Sequence, residues 1–238
     1  MGHMTRLQGN NPNRIILVVG TLIAAALIAL ALFAVRDKPA AGAGLSGDFK
    51  LEGVPFIGQA DAPVSIVTIE DFKCPVCKQF TENIEPELKT KYVDTGKARM
   101  YTLIWPFLAE NARLPTDDSK LAGQAALCVF DDGGSAAFES FKNIVFRAQG
   151  DESTVWATKT RLKELASNVE GIDQTKFAGC LDTDATAARV DAMEKQAVDA
   201  GVNSTPTVFV NGKQVLAASG QGSYSPDDIG KAVDAAQQ

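Results

Sequence analysis

Apolar residues fall into two kinds of run along this chain. One is an unbroken stretch from Ile15 to Val35, IILVVGTLIAAALIALALFAV, 21 residues without a charge. As a helix it would span about 30 Å, the hydrocarbon thickness of a bilayer, and it offers no polar face to water. A membrane anchor over 15–35 is therefore expected. The alternative is a cleaved signal peptide, whose apolar region usually runs only about 7–15 residues. Ala29, Ala31, Ala41 and Ala43 leave room for such cleavage. Residues 36–47, mostly small from Pro39 onward, read as a flexible linker.

The second kind of run is short and periodic. Val64 to Ile69 (VSIVTI) is β-branched and follows a Gly58-to-Pro63 turn region, which predicts a buried strand. A helical stretch follows to about Thr95, with Pro86 expected to bend or break it. Ala98 to Ile104 is a second strand. From Phe107 to Ala200 the pattern is helical, with breaks at Asp131–Ser135, Gly150–Ser153 and Gly171–Asp173. Thr207–Val210 and Gln214–Ala217, joined by Asn211-Gly212, predict a hairpin. Ser225-Pro226 then opens a last helix, Ser225 as its N-cap. The order is a βαβ unit and a ββα unit separated by an all-helical insertion.

Charge removes some functions. The chain carries a formal net charge of -6, and the excess acid lies in the body behind the anchor. No basic run exists to neutralise phosphates, so nucleic acid is not an expected partner. The single histidine is His3, inside a Met1–Met4 segment that reads as a cloning scar. Without another imidazole there is no Cys–His pair and no Ser–His–Asp triad. Arg6 and Arg14 precede the apolar run and Arg36 and Lys38 follow it, so charge sets its orientation only weakly. The short leader, 1–14, is expected to stay in the cytoplasm.

Any chemistry must then use thiols, carboxylates, lysines or backbone. Cys74-Pro75-Val76-Cys77 sits where a strand runs into a helix, a placement more specific than the four-residue pattern itself. Pro75 suits the first helical position, which leaves Cys74 at the helix N-terminus, where free N–H groups and the dipole favour a thiolate. Cys77, one turn on, can reach it. Cys74 is expected to be the exposed nucleophile and Cys77 the buried resolving thiol. A structural zinc site usually presents two close cysteine pairs. Here Cys128 and Cys180 stand alone on apolar helical stretches, so no metal is expected. Four cysteines permit three pairings. Only Cys74–Cys77 with Cys128–Cys180 leaves the redox pair free to cycle, the alternative being two buried free thiols. An even cysteine count behind a membrane segment favours an oxidising compartment. Thr205-Pro206, just before the Thr207 strand, reads either as an ordinary turn or as a cis peptide beside Cys74.

Strand–CPVC–helix, the helical insertion, and STPTVFVNG before a last helix together resemble the DsbA family of thiol–disulfide oxidoreductases. Within it the chain is similar to the membrane-anchored DsbA-like proteins of actinobacteria, which share the EDF-x-CP-x-C lead-in seen at Glu70–Cys77. The resemblance implies an α/β, thioredoxin-like fold over 48–106 and 201–238, with the helical domain, 107–200, inserted. It implies a cis Pro206 with Thr205 against the sulfurs, and a structural disulfide between Cys128 and Cys180. It further implies a catalytic domain outside the cytoplasm, reduced secreted proteins as substrates, and recharging by a membrane quinone reductase of VKOR-like or DsbB type. No cofactor is implied, and a monomer is expected.

Two departures bear on the direction of electron flow. The best-known members have CPHC, and Val76 stands here in place of that histidine. Many relatives carry a Glu six residues before the first cysteine, where this chain has Thr68 and offers Glu70 and Asp71 as proton-relay candidates instead. A milder oxidant is expected. The competing reading is an isomerase or reductase of the same fold, either of DsbC or DsbG type or serving cytochrome c maturation. Thr205 before the proline favours it, whereas too few residues separate Val35 from the first strand for a dimerisation domain. A non-catalytic anchored module would need Cys74 inert, which conflicts with its place at a helix start.

Overall fold

The computed structural model describes residues 44–220 and 222–237. The expected leader, the anchor over 15–35 and most of the linker lie outside them. Among the described residues no helix is long and apolar enough to cross a membrane.

Two strands form the centre. β2 (Val64–Glu70) and β3 (Ala98–Ile104) run parallel in register from Val64 opposite Ala98 to Glu70 opposite Ile104. A parallel pair needs a crossover, supplied by α1 (Pro75–Asn83), α2 (Glu85–Leu88) and a π-helical turn (Lys89–Val93). The helix breaks at Ile84, two residues ahead of Pro86, which has no N–H for the carbonyl four residues back. β1 (Phe56–Ile57) pairs antiparallel with β3, β4 (Thr207–Val210) antiparallel with β2, and β5 (Lys213–Gln214) with β4. The strand order is β1-β3-β2-β4-β5.

Five helices stand between β3 and β4 in sequence. They are α3 (Leu108–Asn111), α4 (Asp118–Arg147), α5 (Lys159–Ala166), α6 (Gln174–Asp182) and α7 (Ala187–Asp199), and α8 (Pro226–Ala236) closes the chain. Alternation along the strands splits the core in two. Val67, Ile69, Leu103 and Phe209 pack with Leu127, Phe141 and Val190 of the helical block. Val64, Ile66, Met100 and Val208 pack with Phe80, Leu88, Ile229 and Val233 on the other side. α8 opens on a capping box in which Ser225 and Asp228 satisfy each other's backbone N–H.

Three expectations are corrected. The break at Asp131–Ser135 is a kink inside one long helix, at Gly134 (φ 68). The hairpin's second strand is Lys213–Gln214, not Gln214–Ala217. The tight turn, with Asn211 at φ 45 and Gly212 at φ 77, sets Lys213 directly opposite Val210. The linker also ends earlier than residue 47. Gln214 N–H donates to Leu45 O at 2.9 Å, Gly47 N–H to Gly212 O at 2.8 Å, and Ser46 bridges Lys213. β5 is an edge strand with unpaired backbone groups, and the incoming chain satisfies them.

Candidate redox-active site

β2 carries the chain to the C-terminal end of the sheet, and the turn after it places Cys74 as the N-cap of α1. Its sulfur does the work of a capping oxygen, accepting the Cys77 N–H at 3.4 Å. Pro75 follows at the first helical position, where its missing N–H is no loss. The Thr205–Pro206 peptide is cis, and the Thr205 carbonyl accepts from the Cys74 thiol at 3.4 Å. Both cysteines are free thiols, whereas Cys128 and Cys180 form a disulfide with their Cα atoms 5.9 Å apart.

The expected exposure of Cys74 is corrected: it is 5% exposed and Cys77 is fully buried. The Thr205 carbonyl lies against the sulfur. Val76, beside it, is 37% exposed. A cavity of about 280 Å³ opens there, lined by Val76, Gln79, Phe80, Asn83 and Tyr224 among others.

The two thiols differ sharply. Cys74 is lowered from 9.0 to about 7, chiefly by its hydrogen bond with Cys77, against burial, with help from Thr205 and the N–H groups of Cys77 and Val76. Burial pushes the Cys77 thiol well above its ordinary value, and its bond to Cys74 and the charges of Cys74 and Glu70 push it further. The Val76 side chain offers no donor to either sulfur.

The two acidic candidates separate. Glu70 shares a strand face with Thr68, whose hydroxyl donates to Tyr101 O at 3.1 Å. Glu70 Oε1 accepts from Lys142 at 2.9 Å, and its Oε2 is buried without a partner. Asp71 does not fit a relay. Its carboxylate takes the N–H of Lys73 at 2.8 Å, that of Leu108 at 2.9 Å, and the Ser119 hydroxyl at 3.0 Å. Burial still holds its pKa up at about 6. What Asp71 gives the site is its backbone N–H, which favours the Cys77 thiolate.

Several supporting residues were not anticipated. Lys73 is fully buried and pairs with both oxygens of Asp118, at 2.8 and 2.9 Å. Gln149 Nε2 donates to Phe72 O at 2.8 Å and Cys74 O at 3.0 Å, so the helical block holds the motif's own backbone. Lys142 also pairs with Glu85 at 2.5 Å. A lone lysine between Phe141 and Val145 was the available signal for Lys142; nothing in the spacing marked Gln149.

This arrangement matches known proteins. A family model described as Thioredoxin matches residues 50–235. The chain is a DsbA-like member of the thioredoxin family. It is 29% identical to Disulfide bond formation protein D of Bacillus subtilis over 171 residues, 72% of this chain and 73% of that one. It is 31% identical to a putative protein-disulfide oxidoreductase of Rickettsia prowazekii over 178 residues, 72% of this chain and 58% of that one. Among solved structures, oxidised BdbD of Bacillus subtilis superposes with a TM-score of 0.70 at 26% identity, covering 81% of this chain and 97% of that one. Oxidised DsbA of Mycobacterium tuberculosis gives 0.61 at 24% identity over 77% and 97%, a likeness of fold. Thiol–disulfide exchange is therefore this protein's chemistry.

Proposed function

We propose that this protein is an extracytoplasmic dithiol oxidase that donates the Cys74–Cys77 disulfide to folding secreted or membrane proteins. The unequal sulfurs carry the reading. A substrate thiolate attacks Cys74, the Cys74–Cys77 bond breaks, and Cys77 leaves and takes up a proton. A second substrate thiol then displaces Cys74, which leaves readily because its thiolate is stabilised. Stabilising the reduced form makes the disulfide oxidising. A thiol at about 7 rather than the ~3.5 of DsbA makes it a milder oxidant than DsbA itself. The name of the Bacillus subtilis relative supports this direction over isomerisation or reduction. In this reading Thr205 and the cis Pro206 offer backbone to a substrate chain, and the cavity beside Val76 receives it.

The reading extends to the chain's setting. The uncharged run over 15–35 anchors it in the cell membrane with the N-terminus cytoplasmic, and a membrane quinone reductase of VKOR-like or DsbB type recharges it. The test is the reduction potential of Cys74–Cys77 against glutathione. A value between those of DsbA and thioredoxin, about -120 and about -270 mV, is expected. A value at or below thioredoxin's would sink the oxidase reading. Restoring scrambled ribonuclease without oxidising the reduced enzyme would give the case to the isomerase. Cys74→Ala should abolish either activity.

A further inference from the structure

The turn that leads into the CPVC motif is held from inside and from outside. Within it, the Cys74 N–H donates to Asp71 O at 2.9 Å. The carbonyls of Phe72 and Cys74 both face one side chain of the helical block. Gln149 stands two residues past the end of α4, its own N–H on Phe146 O at 3.2 Å. From there the two hydrogens of Nε2 reach Phe72 O at 2.8 Å and Cys74 O at 3.0 Å. The same helix end grips Phe72 by its ring, whose centroid lies 5.2 Å from that of Phe146. Lys73, between the two carbonyls, is fully buried and committed to Asp118 and Thr154 O.

Cys74 caps α1 with φ -73 and ψ 118, and the ring of Pro75 fixes the next φ. The ψ of Cys74 is therefore the torsion that joins the turn to the helix. It sets where Sγ lies relative to the first N–H groups of α1. Lys78 N–H holds the Cys74 carbonyl to the helix at 3.1 Å. Gln149 binds that same oxygen and ties it to Phe72 O, across the joint. The N–H groups of Cys77 and Val76 favour the Cys74 thiolate. Such contacts are directional, so rotation at the joint weakens them.

We propose that Gln149 is a positioning residue for disulfide exchange: reaching in from the end of α4, its amide keeps the Cys74 sulfur aligned with the helix's N–H groups and so sets how oxidising the Cys74–Cys77 pair is. The inference rests on Cys74 and Cys77 being the exchanging pair, and it holds for either direction of electron flow. Those N–H groups stabilise the sulfur as a thiolate in the reduced protein, whereas in the disulfide the sulfur carries no charge. Holding the cap thus favours the reduced pair and makes the disulfide a stronger oxidant. Gln149 touches no reacting atom; it acts through the backbone of Cys74.

The experiment equilibrates the full-length protein with reduced and oxidised glutathione and titrates the Cys74 thiolate by its ultraviolet absorbance. Gln149→Met keeps the side chain's length but has no donor. Its equilibrium should move about fivefold toward the disulfide, about 20 mV. The thiolate midpoint, about 7 in the wild type, should move up. Gln149→Asn keeps the amide on a shorter side chain that cannot span both carbonyls. It should move both readouts the same way by less, and it decides the question if Gln149→Met does not fold. Replacing Cys128 and Cys180 by Ala lowers stability without touching this joint and should leave both readouts at wild type. An equal shift in that double variant would mean that lost stability alone moves them, and overturns the inference. So do Gln149 variants with wild-type equilibrium and midpoint, whatever their stability, or a shift toward the reduced pair. A wild type that does not exchange with glutathione defeats the redox reading of Cys74, and the inference with it.

Discussion

The two ends of α4 meet the active-site segment through buried lysines, and the two contacts are built differently. At its start, Asp118 pairs with Lys73 and also accepts the N–H groups of Trp156 and Ala157, at 2.8 and 3.0 Å. Lys73 donates a further bond to Thr154 O at 2.6 Å. Charges balance and the pair is sealed, so this end is a clamp. Toward the other end Lys142 faces two carboxylates, and a water-sized cavity adjoins. Burial alone does not distinguish them. Charge balance and access do: a satisfied pair holds position, whereas an unbalanced cluster open to water can exchange protons.

Asp118→Ala strips a buried ammonium of its counter-ion and two backbone N–H groups of their acceptor, so about 5 kcal/mol should be lost in urea unfolding. A loss near zero would mean that the clamp holds nothing. Between the two ends, Cys128 ties α4 to Cys180 on α6 across 52 residues. Replacing both by Ala should cost about 4 kcal/mol by loop closure while the Cys74–Cys77 potential stays put. Lys142→Met leaves two carboxylates facing each other and should cost about 3 kcal/mol at pH 8. The sign follows from Glu85, whose pKa is already raised in the fold from 4.5 to about 7. The folded state holds the proton longer, so stability declines as pH rises through that range. The Lys142→Met penalty should accordingly shrink toward pH 5, and a pH-independent penalty would contradict the titrating cluster.

The smallest effect is expected at Asp71, which belongs to the clamp side through the Lys73 N–H. Its pKa is raised from 3.8 to about 6, so its contribution to stability is greatest below 3.8 and falls as pH rises through 6. Asp71→Asn should cost about 2 kcal/mol at pH 4 and less at pH 7. A penalty that grows with pH would overturn the assignment.

Local pattern carried much of this molecule. The β-branched alternation at Val64–Ile69, the Asn211-Gly212 turn and the Ser225-Pro226 cap each act within a few residues, and each element stands where its pattern placed it, apart from the register of β5. The CPVC motif is local in the same sense, since a helix start fixes Cys74 as cap and Cys77 one turn on. Contacts across the chain were not legible. Glu70 and Asp71 are neighbours in sequence, but successive residues leave a strand end in different directions, so one meets Lys142 and the other Ser119. No spacing rule could have told them apart.

The sequence by itself determined the redox pair, because two thiols one helical turn apart after a strand need only local geometry to react. The tertiary structure decided how buried they are, which acid meets Lys142, and what holds the motif in place. Those depend on Lys73, Lys142 and Gln149 meeting partners 45 to 77 residues away, and such meetings exist only once the helical block has packed on the sheet.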